Sequence, residues 1–129
     1  MTKVNRSSMR ASFGYAIEGL QYVLRTERNA RIHLVAALLV VMVGLWLGLG
    51  VIEWALLVFS IVLVFSGEML NTVVELIVDM VVEETHPLAK HAKDVAAGAV
   101  LIAAGGSAIL GLLVLGPPLW HRVTEIFSR

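Results

Sequence analysis

The sequence contains no cysteine, which excludes disulfides, thiolate metal sites and cysteine nucleophiles. It also has no excess of one charge, because ten Lys and Arg balance ten Asp and Glu. We therefore expect no nucleic acid partner. The common nucleotide motifs are missing as well: the chain has no GxxxxGK(S/T), no glycine-rich dinucleotide loop and no kinase catalytic-loop pattern. Any nucleotide must therefore be bound by an unrelated arrangement.

Apolar residues, in contrast, are abundant. They make up 58% of the 129 residues, and the mean hydropathy is +0.85, which exceeds the usual range of a water-soluble domain. Three apolar runs are long enough to cross a hydrocarbon core of about 30 Å as helices. We expect transmembrane helices at about 33–50, 53–82 and 94–116, with the last one stopped by Pro117 and Pro118. The sequence thus predicts a single all-α membrane domain over residues 1–129.

A further helix is expected ahead of the first span, at about residues 8–30. Phe13, Ile17, Leu20 and Leu24 recur there at helical spacing, with charged residues between them. This pattern predicts an amphipathic helix on the membrane surface. The alternative is a helix packed on the surface of its own protein.

The positions of Lys and Arg predict the orientation of the chain. Six of them precede the first span, two lie in the loop after the second span, and none lies between residues 50 and 53. Cytoplasmic flanks carry the excess of Lys and Arg, so the N-terminus and the second loop are expected in the cytoplasm.

Four polar residues interrupt the second apolar run at helical spacing. Glu68, Asn71, Glu75 and Asp79 are separated by three, four and four residues, which places them on one helix face. An ionised carboxylate at the membrane centre costs roughly 2.5–3.5 kcal/mol, so this face cannot point to lipid. Counting along the helix from Glu53 places the face at the cytoplasmic boundary of the bilayer.

From the residues alone, this acidic face has three interpretations. It could be a polar seam that holds helices together, a pathway for protons or cations, or a site for Mg²⁺ and a nucleotide. In the last case carboxylates would hold the metal and a lysine would hold phosphate. Residues 27–31 and the pair Lys93 and Asp94 are expected at the same membrane depth, which favours the nucleotide site.

Two segments resemble the motifs of the small bacterial membrane-integral diacylglycerol kinase family. Residues 68–79 read EMLNTVVELIVD, similar to ExxN(T/S)xxExxxD, and residues 90–100 read KHAKDVAAGAV, similar to KxxKDxAAxAV. The resemblance extends from about Phe13 to Ala104. Residues 27–33, 53–54 and 86–90 look more like the undecaprenol kinase branch, because the diacylglycerol branch usually has a second acid where His33 stands.

The resemblance implies a homotrimer in the bacterial cytoplasmic membrane. It would transfer the γ-phosphoryl group of ATP, with Mg²⁺, to a lipid alcohol at the cytoplasmic face. Undecaprenol is the expected acceptor and diacylglycerol is the alternative. A proton-coupled carrier or a non-catalytic scaffold is the alternative from a different class.

The resemblance also implies roles for single residues. Glu68 would accept the proton of the lipid hydroxyl. The expected catalytic residues are Glu68, Asn71 and Lys93. The expected Mg²⁺ ligands are Glu27 and Glu75. The expected nucleotide-binding residues are Glu27, Glu75, Asp79, Lys93 and Asp94. The expected acceptor-binding residues are Arg31, Glu68 and Asn71.

Other residues have simpler explanations. The four histidines are scattered over different segments, and we expect them to be interfacial or loop residues rather than a metal site. Gly44 and Gly48 form a GxxxG, which indicates either a helix contact or the usual glycine content of membrane helices. Trp54 and Trp120 fit an aromatic belt at the outer boundary.

Overall fold

The computed structural model describes residues 9–82 and 86–128, which form four helices. These are α1 (Met9–Thr26), α2 (Arg28–Leu47), α3 (Val51–Val81) and α4 (Pro87–Phe127). Helices α2, α3 and α4 are each long and apolar enough to cross a membrane. The expected all-α architecture with three candidate spans is therefore confirmed.

Helix α1 is separated from α2 by a single extended residue, Glu27, with φ −91° and ψ 117°. The expected surface helix therefore ends at Thr26 rather than near residue 30, because the chain turns at Glu27 and starts α2. Helix α1 buries Val23 and leaves Phe13 and Ile17 exposed.

Gly48 ends α2 in the left-handed conformation, with φ 68° and ψ 46°, which favours glycine. Its N–H donates to the carbonyl of Gly44 at 3.1 Å. Gly44 itself is buried, and a Cβ added there would lie 3.0 Å from Cη2 of Trp54. Of the two interpretations of the GxxxG, the structure therefore supports a helix contact at Gly44, on which Trp54 of α3 packs.

The buried face of α3 is a continuous stripe at helical spacing. Its members are Leu57, Ser60, Val64, Glu68, Asn71 and Thr72. Helix α4 packs beside α3. Along this contact, Ser107 Oγ donates to the carbonyl of Ser60 at 3.3 Å.

Helix α4 extends beyond the expected 94–116 at both ends. It begins at Pro87, because proline fits the first turn and the His86 side chain accepts the N–H of Leu88 at 3.2 Å. Residues 87–94, expected in a loop, are therefore helical. The prediction that Pro117 and Pro118 stop the helix was wrong, since α4 continues to Phe127. Proline has a helical φ, and although it removes one N–H donor and crowds the carbonyl four residues earlier, a helix can kink at proline instead of ending.

Candidate active site

The buried stripe of α3 changes from apolar to polar at Glu68. The Glu68 side chain is 3% exposed, and Asn71 and Thr72 are also buried. Thr72 Oγ1 donates to the main-chain carbonyl of Glu68 at 3.0 Å. These side chains continue the line that Leu57 and Val64 begin. The first turns of the predicted polar face are therefore directed into the protein.

Glu68 lies against His33 of α2. His33 Nε2 is 3.2 Å from Glu68 Oε1, which is an ion-pair distance. Even so, Oε1 accepts no hydrogen bond from the residues that the structure describes. Oε1 therefore has His33 Nε2 as its ion-pair neighbour, and its capacity to accept a hydrogen bond remains available to a bound molecule.

The position of His33 differs from the expectation of an interfacial or loop residue. It lies in helix α2, and its side chain is 24% exposed. The sequence held one signal of the His33–Glu68 contact, because the family resemblance implies an acid at this position in the diacylglycerol branch.

Two more carboxylates belong to the surroundings of Glu68. Asn71 Nδ2 donates to Glu75 Oε1 at 2.8 Å, while the buried Asn71 Oδ1 has no partner among the described residues. Glu27 and Glu75 are both close enough to act on the charge of Glu68. Two of the predicted acids, Glu27 and Glu75, are thus within electrostatic range of a third, Glu68.

Lys93 connects α4 to the last turns of α3. Its Nζ lies 2.6 Å from Asp79 Oδ1, and the Asp79 side chain is 66% exposed. Asp94 does not contact Lys93 in this way; it accepts from Lys90 Nζ at 3.1 Å. An exposed ion pair contributes little to stability. The Lys93–Asp79 contact therefore matters chiefly for where it holds the lysine.

Arg31 makes its hydrogen bond away from Glu68. Its Nη1 donates to the main-chain carbonyl of Arg25 at 3.2 Å, near the end of α1. Arg31 and His33 are two residues apart on one helix, so they point to different sides of it. The acceptor-binding role of Arg31 stays a prediction.

An apolar groove with a volume of about 370 Å³ leads away from His33 between α2, α3 and α4. This volume lies within the usual range of ligand pockets, about 300–1,000 Å³. Many of its lining residues are small: Ala36, Ala37, Ala104, Ala108 and Gly111. Leu57, Val64 and Phe65 of α3 also line it, as do Ser60 and Ser107. The ionisable end of the groove is His33, beside the Glu68 carboxylate.

The arrangement of the acidic side chains bears on metal binding. Within residues 9–82 and 86–128, no three His, Asp or Glu side chains are grouped closely enough to hold a metal by themselves. Mg²⁺ in nucleotide sites needs fewer protein ligands, because one or two carboxylates act together with phosphates and water. Glu27 and Glu75 each lie within electrostatic reach of Glu68, and their role as Mg²⁺ ligands stays a prediction.

Comparisons with known proteins show the family of the chain. The family model described as prokaryotic diacylglycerol kinase matches residues 14–115. An undecaprenol kinase of Bacillus subtilis (strain 168) is 45% identical over 108 residues, covering 84% of this chain and 88% of the relative. A diacylglycerol kinase of Synechocystis sp. is 45% identical over 109 residues, covering 84% of this chain and 62% of the relative.

The diacylglycerol kinase of Escherichia coli (strain K12) is 40% identical over 90 residues, covering 70% of this chain and 74% of the relative. The family match includes all of the predicted site residues, from Glu27 to Asp94. The chain belongs to the prokaryotic diacylglycerol kinase family.

Proposed function

We propose that this membrane lipid kinase transfers the γ-phosphoryl group of ATP to undecaprenol and produces undecaprenyl phosphate. The observation that carries the proposal is the buried Glu68 carboxylate at the His33 end of an apolar groove. Its Oε1 lies 3.2 Å from His33 Nε2 and accepts no hydrogen bond from the described residues. An alcohol whose chain lies in this groove would present its hydroxyl to a proton acceptor.

In the proposed reaction, Glu68 accepts the proton of the lipid hydroxyl while the hydroxyl oxygen bonds to the γ-phosphorus of ATP. The bond between this phosphorus and the β–γ bridging oxygen breaks, and ADP leaves. Lys93, held by Asp79 at 2.6 Å, offsets negative charge on the transferring phosphoryl group. Asn71 orients the Glu75 carboxylate through their 2.8 Å hydrogen bond.

Glu27 and Glu75 would hold Mg²⁺ together with the ATP phosphates. When bound, the ion neutralises phosphate charge, which is the main chemical requirement of phosphoryl transfer. Asp79 and Asp94 complete the proposed nucleotide-binding set. Asp94 would do so from the first turns of α4, where it pairs with Lys90.

The choice of undecaprenol rests on the hydrogen-bond donors around Glu68. The Thr72 hydroxyl already donates to the Glu68 carbonyl, and one N–H of Asn71 already donates to Glu75. Diacylglycerol has two ester carbonyls near its hydroxyl, and a polar group left unpaired in a buried site costs about 1–3 kcal/mol. Undecaprenol has one hydroxyl and an otherwise apolar chain, so it avoids this cost.

Diacylglycerol remains the alternative acceptor, because the relatives from Synechocystis and Escherichia coli are named for it. The undecaprenol kinase of Bacillus subtilis shares the same 45% identity with this chain as the Synechocystis relative does. Overall identity therefore does not separate the two acceptors.

The orientation is proposed from the distribution of Lys and Arg, with the active site at the cytoplasmic face and α1 on that leaflet. A reporter fused after Arg129 is expected outside the cytoplasm, and one inserted near Glu84 inside it. The homotrimer is proposed from the family resemblance, and cross-linking in native membranes tests it.

The function is tested with purified protein, undecaprenol and ATP labelled in the γ-phosphate, in mixed micelles containing Mg²⁺. Label is expected in a lipid product that migrates as undecaprenyl phosphate. Removal of Mg²⁺ with a chelator should abolish this product. Unlabelled lipid in the presence of folded protein and Mg-ATP would contradict the proposal.

A further inference from the structure

His33 contributes both to the apolar groove and to the surroundings of the Glu68 carboxylate. It lines the groove between α2, α3 and α4, and its Nε2 lies 3.2 Å from Glu68 Oε1. We propose that His33 selects the acceptor alcohol, by limiting the width of the groove beside Glu68 to that of a single chain. This inference rests on the proposed function, because it concerns the acceptor of the same reaction.

The groove extends away from His33 along all three long helices. On α2 its lining ends at Val40, a distance of roughly 10 Å along the helix axis. On α4 it is lined by Ala104, Ala108 and Gly111, whose small side chains leave space for a hydrocarbon chain. The imidazole of His33 is the bulky, polar group beside the carboxylate, so it determines the shape of the end where the hydroxyl must lie.

The two candidate acceptors differ at this end. A polyprenol has a single chain next to its hydroxyl and needs only a narrow entrance. A diacylglycerol has two ester-linked chains beside its hydroxyl, and it requires both more width and partners for its carbonyls. His33 therefore acts as a positioning residue: its ring stands beside Glu68 and excludes the wider alcohol.

The first test compares His33→Ala with His33→Gln. Alanine opens the groove end and removes the ring, whereas glutamine keeps comparable length and an N–H near the position of Nε2. For each variant, kcat and KM are measured with undecaprenol, with diacylglycerol and with ATP in the same micelles. The quantity of interest is the ratio of kcat/KM for undecaprenol to kcat/KM for diacylglycerol.

We expect His33→Ala to lower this ratio at least about tenfold, a scale typical of discrimination by pocket shape. We expect His33→Gln to keep the ratio within about threefold of the wild type, and both variants to keep the KM for ATP within about twofold. A purely structural role would reduce activity toward both alcohols equally and leave the ratio unchanged. That result would overturn the proposal.

The second test concerns the groove and does not depend on changing His33. Ala108→Leu places a larger side chain in the groove, and Ala99→Leu makes the same change at an exposed position on the opposite face of α4. The KM for undecaprenol should rise at least about tenfold in the first variant and less than about twofold in the second. Equal effects of the two substitutions would contradict the assignment of the groove.

The wild-type protein separates the failure of this inference from the failure of the proposed function. A wild type that phosphorylates neither alcohol disproves the proposed function itself. A wild type that prefers undecaprenol, with the same preference in His33→Ala, disproves only the role of His33.

Discussion

The two halves of α3 belong to one continuous helix, but their buried side chains differ in chemistry. In the first half the buried positions are Leu57, Ser60 and Val64, and Trp54 packs on Gly44 of α2. In the second half the same stripe continues as Glu68, Asn71 and Thr72. The buried positions follow one another at three or four residues from Leu57 to Asn71, so the same helix face continues through both halves.

The difference shows how one helix can combine packing against its neighbours with buried polar groups. The first half packs α3 against its neighbours with mainly apolar side chains, and the second half presents carboxylate and amide groups on the same buried line. Buried polar groups without hydrogen bonds are costly, and neither Glu68 Oε1 nor Asn71 Oδ1 accepts one from the described residues. Groups of this kind are expected where a ligand completes them.

The largest expected effect comes from removing the charge at the start of the polar half. Glu68→Gln keeps the shape of the side chain and removes the proton acceptor. We expect kcat/KM for undecaprenol to fall at least about 10²-fold, the usual contribution of a general base. Glu53→Gln, in the apolar half, is the control and should retain nearly full activity. A larger effect at Glu53 than at Glu68 would contradict the assignment of the site to the polar half.

Glu75→Gln tests the proposed Mg²⁺ ligand in the polar half. We expect activity to fall by about 10²-fold at the Mg²⁺ concentration that saturates the wild type. Raising Mg²⁺ should restore part of the activity, because the weakened site is then filled more completely. Titrations of activity against Mg²⁺ for both proteins measure this. An unchanged Mg²⁺ requirement would remove Glu75 from the set of ligands.

A smaller effect is expected at the end of α3, where Asp79 holds Lys93 at 2.6 Å. Asp79→Asn should reduce kcat about tenfold, because Lys93 loses the carboxylate that holds it while its own charge remains. The double variant with Lys93→Met should be no worse than Lys93→Met alone, since the two residues act as a unit. Fully additive losses would show that Asp79 does not act through Lys93.

The smallest effect on catalysis is expected from a change in α2, at the contact with the apolar half of α3. Gly44→Leu places a side chain where a Cβ already meets Trp54 at 3.0 Å, so it should lower the melting temperature by several degrees. Gly105→Leu is the matched control, because nothing lies within 4 Å of its Cβ position. The kcat of the folded fraction should change little in either variant. A loss of kcat in Gly44→Leu but not in Gly105→Leu would show that packing at Gly44 affects catalysis in the polar half of α3, which we do not propose.

The polar half of α3 was predictable because its residues lie on one helix. Their spacing alone places Glu68 and Asn71 on a common face, and the cost of charge in lipid directs that face inward. The His33–Glu68 contact was not predictable in this way. It depends on the rotation and height at which α2 packs on α3, which periodicity within a single helix does not contain.

The ends of α4 show a second limit of the sequence. Pro117 and Pro118 were expected to end the helix, yet the helix continues through them to Phe127. The start at Pro87 depends on a local hydrogen bond from Leu88 to His86, which composition alone does not reveal. Helix boundaries are set by such local contacts, whereas the existence of the span is set by its total apolar length.

We propose that the polar half of α3 acts on a lipid alcohol with one hydroxyl and one chain. The most direct test is the ratio of kcat/KM for undecaprenol to kcat/KM for diacylglycerol, measured with wild-type protein in the same mixed micelles. We predict a ratio of at least about ten, consistent with discrimination by pocket shape and unpaired ester groups. A ratio below one would contradict the proposed acceptor, and phosphorylation of neither alcohol in the presence of Mg-ATP would contradict the proposed reaction.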